Sequence, residues 1–127
     1  SAKALGDRSV ALGNNTEAQS LGSITVGSGY EDSDNPGSLK QTLAISGYQY
    51  NTAIGAGAQA AGNNSLAIGT LATSSIKNGG SSVDKAVAIG YSAGVSDDKA
   101  IAIGSDAKSN SKSASAMPRQ WLKTRWL

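Results

Sequence analysis

In 127 residues Leu, Ile and Val together number only 22 and Phe is absent, while Ala (20), Ser (20) and Gly (16) dominate, so large apolar side chains fall below the level usual for a globular core. A net charge of +2 is too small for charge-driven disorder, which leaves a chain ordered by repetition, with a thin core continuous from repeat to repeat. The absence of Cys and His excludes disulfides, Cys-based metal sites and the commonest general base, and Lys and Arg too scattered for a nucleic-acid footprint argue against that partner.

Glycine sets the period. Gly6, Gly13 and Gly27, then Gly55, Gly62 and Gly69, then Gly90 and Gly104 recur in steps of seven or multiples of seven within each set, and residues 51–69 carry A-I-G twice, fourteen residues apart. Between corners the chain reads as short strands, in which alternate side chains point to opposite faces. One face holds small residues along the chain: Ser9 and Ala11, Thr16 and Ala18, Ser23 and Thr25, then Ala53, Ala58, Ala60, Ser65, Ala67, Ala72, Ser74, Ala86, Ala88, Ala93, Ala100, Ala102, Ala107 and Ser109.

The other face divides into two kinds. Every second half-turn presents large aliphatics: Val10 and Leu12, Ile24 and Val26, Leu43 and Ile45, Ile54, Leu66 and Ile68, Val87 and Ile89, Ile101 and Ile103. The half-turns between them present Glu17 and Gln19, Gln59 and Ala61, Thr73 and Ser75, Gly94 and Ser96, Lys108 and Asn110. The reading is an all-β flattened parallel β-roll of fourteen residues per coil, with small faces inward, one sheet backed by aliphatics and the other by polar groups. Glycines fit the corners, where the backbone needs positive φ or close approach; Ser20, Ser46, Asp97 and Ser111 occupy other corners. A coiled coil of the same seven-residue period is disfavoured, because each helical glycine costs about 1 kcal/mol relative to Ala.

Insertions interrupt the count near residues 28–40, where Asn35-Pro36-Gly37 is a turn signal, and near 76–83, with two further residues at 47–50. The roll is expected over residues 1–117. Residues 118–127, which open with Pro118 and hold both tryptophans, read as a tail, the start of a neck or added residues. The thirteen aliphatics form a stripe larger than soluble monomers usually expose, which implies a closed symmetric oligomer.

Val10-Ala11-Leu12-Gly13, Asn64-Ser65-Leu66-Ala67-Ile68-Gly69 and Ala86-Val87-Ala88-Ile89-Gly90 resemble the N-S-V-A-I-G repeats of YadA-like heads in trimeric autotransporter adhesins, over about residues 2–117. The resemblance implies a left-handed roll, a homotrimer whose interface is the aliphatic stripe, and display on a Gram-negative cell surface by outer-membrane parts outside this segment. It also implies host matrix partners such as collagen, fibronectin or laminin, with no direct membrane contact by this segment. The alternative role is a spacer or protective segment of the fibre, with ligand binding elsewhere.

Some members of that family bind matrix proteins through N-S-V-A-I-G-x-x-S. Residues 64–72 match it with Leu66 for Val and Ala72 for the final Ser, and read better as the core and corner of a coil. A candidate adhesive surface comprises Asn64, Gln59, Thr73 and Lys108, with Tyr30, Asp32 and Lys77 from the insertions. Residues 31–37 begin like a calcium loop but have Leu43 where the twelfth-position Glu belongs, so no metal is expected. Gly55-Ala56-Gly57 with Gly62 misses the dinucleotide-binding spacing, and no cofactor is expected. No nucleophile has a plausible base, so the chain reads as non-enzymatic. A hexapeptide-repeat acyltransferase would have a period of six and commonly a catalytic His.

Overall fold

A computed structural model describes residues 1–74, 83–110 and 115–116. Among them there is no helix; sixteen short strands follow one another as β1 (Ala2–Ala4), β2 (Val10–Asn14), β3 (Thr16–Ala18), β4 (Ile24–Ser28), β5 (Tyr30–Glu31), β6 (Leu39–Lys40), β7 (Thr42–Ala44), β8 (Thr52–Ile54), β9 (Gln59–Ala60), β10 (Leu66–Ile68), β11 (Thr73–Ser74), β12 (Val87–Ile89), β13 (Gly94–Val95), β14 (Ile101–Ile103), β15 (Lys108–Ser109) and β16 (Ser115–Ala116). They form two seven-stranded sheets in the orders β1-β3-β7-β9-β11-β13-β15 and β2-β4-β8-β10-β12-β14-β16, with β5 and β6 as a separate antiparallel hairpin. Every pairing within the two large sheets is parallel, and the chain passes from one sheet to the other at each half-turn. Val10 pairs with Ile24, Thr52 with Leu66 and Val87 with Ile101, which is the fourteen-residue coil expected from the glycines.

The interior is thin because its side chains are small. Ala18, Ala44, Ala53, Ala60, Ala67, Ala88 and Ala102 are fully buried, as are Thr25, Thr42 and Ser23. The expectation that only Ala, Ser and Thr fill this layer needs correction: Val83, Val95 and Asn51 are also buried. Val83 and Val95 pack in a cluster of alanines that includes Ala86, Ala93 and Ala107, whose short side chains leave room for a branched one. Asn51 is accommodated by partners: its Nδ2 donates to Ser20 Oγ (3.3 Å) and its Oδ1 accepts from Ser65 Oγ (3.1 Å). Buried polar groups persist where they are paired in this way.

Corners stack as tightly as strands. A Cβ placed on Gly69 would lie 2.5 Å from the Gly90 carbonyl oxygen, and Gly69 has φ 125°. Each such corner closes as a turn, for example Ala72 N to Gly69 O at 3.2 Å. The third residue of that turn adopts the left-handed conformation, as type II turns require. It is often not glycine: Arg8, Asn15, Asn64, Leu71, Lys85, Ser92, Lys99 and Asp106 all have φ between 54° and 59°. Successive corners also continue the ladder, as in Leu71 N to Ala56 O and Ser92 N to Thr70 O, both 2.9 Å.

The first insertion moves two residues from where the sequence count puts them. Leu43 and Ile45 are expected in the aliphatic-backed sheet, but β7 pairs with β3 and β9, so Leu43 lies between Glu17 and Gln59 on the polar-backed sheet. Gly27 and Gly55 are 28 residues apart yet stand one coil apart, with β4 directly beside β8. The hairpin and the extra residues near 47–50 together consume one coil's length of chain without adding a coil. Hairpin strands satisfy their own hydrogen bonds, so they leave the parallel ladder unbroken.

Candidate binding surface

The two large sheets differ on their outward faces. On one, Val10, Ile24, Leu66, Val87 and Ile101 form a row interrupted only by Thr52, beside a second row of Leu12, Val26, Ile54, Ile68, Ile89 and Ile103. These eleven side chains are half-buried by one another or exposed; Leu12 is 64% exposed and Ile103 47%. The other sheet presents, in register, Lys3, Glu17, Leu43, Gln59, Thr73, Gly94 and Lys108. Lys3 Nζ lies 3.4 Å from Glu17 Oε1, and Gln19 Nε2 donates to Glu17 Oε2 at 2.7 Å, so the first coils of this face are tied into a local network.

Further along, the polar face is hollowed. A depression of about 320 Å³ is lined by Lys40, Gly57, Gln59, Leu71, Thr73, Ser92 and Lys108. Its wall on one side is the β5–β6 hairpin, which leaves the corner after Ser28 and folds over the next corners: a Cβ on Gly57 would lie 2.8 Å from Tyr30 Cβ, 3.1 Å from Leu71 Cδ2 and 3.4 Å from Lys40 Cβ. The absence of a side chain at Gly57 is what lets the hairpin approach. The hairpin also brings the Tyr30 phenol near Tyr91. Burial first, then Tyr91, Asp32 and Asp34, raise the Tyr30 phenol above its ordinary value, because each disfavours phenolate.

The hairpin loop is held from within. Glu31 Oε1 accepts from Gly37 N (2.8 Å), Asp32 Oδ1 accepts from Asp34 N (3.0 Å) and Ser38 Oγ donates to Asn35 O (2.8 Å). Among the described residues no three acidic groups gather as a metal site.

Of the seven candidate adhesive residues, Gln59, Thr73 and Lys108 thus meet in the depression, and Tyr30 stands on its wall. Asp32 lies in the hairpin loop. Asn64 is at the opposite edge of the roll, exposed, in a corner where its N–H donates to Gln49 O (2.9 Å). Lys77 lies outside the described residues, as do most of the 76–83 insertion and all of 118–127. The opposite edge carries a polar ladder the sequence reading overlooked: Asn63 Oδ1 accepts from Gln49 N (3.1 Å), Asp84 Oδ1 from Asn63 N (2.8 Å) and Asp98 Oδ1 from Asp84 N (3.0 Å). Its signal was an Asn or Asp directly after the corner residue in successive coils. Lys40, Leu71 and Ser92 were also missed, since nothing local links them to Gln59.

Comparison with known proteins yields one family. The YadA head domain repeat matches in two copies, over residues 1–29, 52–72 and 84–107, which is more than half of the chain. The gaps in that match include the hairpin insertion and the residues around 73–83. No curated protein and no solved structure matches the chain.

Proposed function

The chain belongs to the YadA-like head domains of trimeric autotransporter adhesins, and from that premise we propose that it is a non-catalytic adhesive head, displayed on a bacterial surface and binding host matrix or cell-surface molecules. The observation that carries the reading is the opposed chemistry of the two outward faces, aliphatic on one sheet and polar on the other. In this reading three left-handed rolls pack around a threefold axis through the aliphatic sheet. Burying eleven half-exposed aliphatics, at about 1.5–3 kcal/mol for each fully transferred side chain, is worth on the order of 10 kcal/mol per chain. That favours permanent assembly.

With the aliphatic sheet covered, the polar sheet and the hairpin are the surfaces left for a host ligand, present three times per head. Weak contacts repeated in this way add through avidity. The fibre parts that anchor the head in the outer membrane belong outside this segment. Solid-phase binding of the assembled head to collagen, fibronectin, laminin and epithelial cells is the test. Binding to at least one is expected; no binding to any at micromolar trimer overturns the adhesive reading and leaves a spacer.

A further inference from the structure

Lys108 is exposed on β15, yet its side chain lies along the sheet surface. Its chain runs back across Gly94 on the neighbouring strand: a Cβ on Gly94 would lie 3.2 Å from Lys108 Cδ, 3.1 Å from its Nζ and 3.4 Å from Thr73 Oγ1. The ammonium donates to the Ser92 carbonyl oxygen, which fixes it inside the depression. Gly94 occupies an outward position of the polar sheet and has no positive φ, so its role is the slot it leaves rather than a backbone need. Lys40 enters the same depression from the hairpin.

The lining therefore brings together two lysines, Gln59, Thr73, Ser92 and Leu71, and it contains no acidic residue. The carboxylates of Asp32 and Asp34 act on the Tyr30 phenol and are not part of it. Amide and hydroxyl side chains beside a small apolar one suit the hydroxyls and CH faces of a sugar ring, and two lysines suit an anion. We propose that this depression is a binding site for an acidic sugar unit of a glycan, whose carboxylate or sulfate is held by Lys40 and Lys108 while Gln59 and Thr73 take ring hydroxyls. Each head would carry one such site per chain.

The inference rests on the adhesive reading of the polar face, and the two fail separately. The assembled chain is titrated by calorimetry with sialyllactose, with a heparin-derived sulfated disaccharide and with lactose. Binding of either anionic probe is expected, and which of the two binds identifies the anion as carboxylate or sulfate; lactose should not bind. Lys40→Ala and Lys108→Ala should each weaken binding about tenfold, as expected for loss of a charge-assisted hydrogen bond. Gly94→Ala should weaken it with no charge removed, by displacing Lys108 from its slot, while Lys85→Ala on the opposite edge leaves it unchanged. No binding of either anionic probe, equal binding of lactose, or equal loss in Lys85→Ala overturns the inference. Cell or matrix binding without sugar binding overturns the inference alone; sugar binding without adhesion to any cell or matrix protein overturns the adhesive reading alone.

Discussion

Asn51 and Ser65, one coil apart and both buried between the sheets, are joined by a 3.1 Å hydrogen bond from the serine hydroxyl to the asparagine Oδ1. The Asn51 amide continues the thread to Ser20 Oγ, and Ser65 has the Gly62 carbonyl as a second acceptor at 3.0 Å. Asn51→Ala breaks both links and leaves a cavity, so it should cost about 2–3 kcal/mol. Ser74 is the contrast: its hydroxyl is buried with no partner among the described residues. Ser74→Ala should stabilise the protein by about 1 kcal/mol, since the alanine has nothing to desolvate. Urea unfolding of both variants checks the opposite signs, and a lower midpoint for Ser74→Ala would refute its half.

Corner packing predicts unequal tolerance among the glycines. Gly69→Ala adds strain at φ 125° and a clash with the Gly90 carbonyl, whereas a Cβ on Gly37, at φ 92° in the hairpin turn, meets nothing within 4 Å. The first substitution should cost about 3 kcal/mol or more, combining backbone strain with displacement of a stacked corner, and the second about 1 kcal/mol. Thermal unfolding of the two variants measures the gap; similar midpoints would mean that the corners yield.

The face assignment is tested by charge. Ile68→Asp, in the middle of the aliphatic sheet, should prevent trimer assembly, while Gln59→Asp on the polar sheet should leave it intact. Leu43→Asp is the sharper experiment. The periodic pattern alone groups Leu43 with Ile68, whereas its strand partners Glu17 and Gln59 group it with the polar face. Light scattering should show Leu43→Asp assembled; a monomer would refute its removal from the interface.

Tyr30 predicts a dependence on alkaline pH. Its phenol is raised above its ordinary value, first by burial and then by Tyr91 and the two aspartates, so the folded state holds the proton more tightly than the unfolded chain. The stability this contributes is fully present below the unfolded phenol's pKa, near 10, and is lost as pH rises through the higher folded value. Ultraviolet difference spectra between the native protein and Tyr30→Phe should show a phenolate forming later than that of a free tyrosine. Tyr91→Phe, which removes the neighbouring phenol, should bring it earlier. A Tyr30 transition at or below the ordinary value would contradict the packing of the hairpin against the roll.

The period, the small interior and the two-sided chemistry were legible along the chain, because a fourteen-residue coil and strand alternation are both local rules. Eleven of the thirteen aliphatics assigned to one face stand there for that reason. What only the tertiary structure decided is what lies beyond an insertion. A residue count through residues 28–50 cannot say how many half-turns have passed; the parallel ladder β3–β7–β9 does, and it puts Leu43 beside Gln59. Nor does sequence forecast the left-handed Leu71 or Lys85, which the stacked turns impose on side chains that do not favour it. The depression is of the same kind. Lys40, Gln59, Thr73 and Lys108 are up to 68 positions apart in the chain, and they meet because the roll stacks β9, β11, β13 and β15 side by side, the hairpin folds over their corners, and Gly94 leaves a slot for a lysine from the next coil.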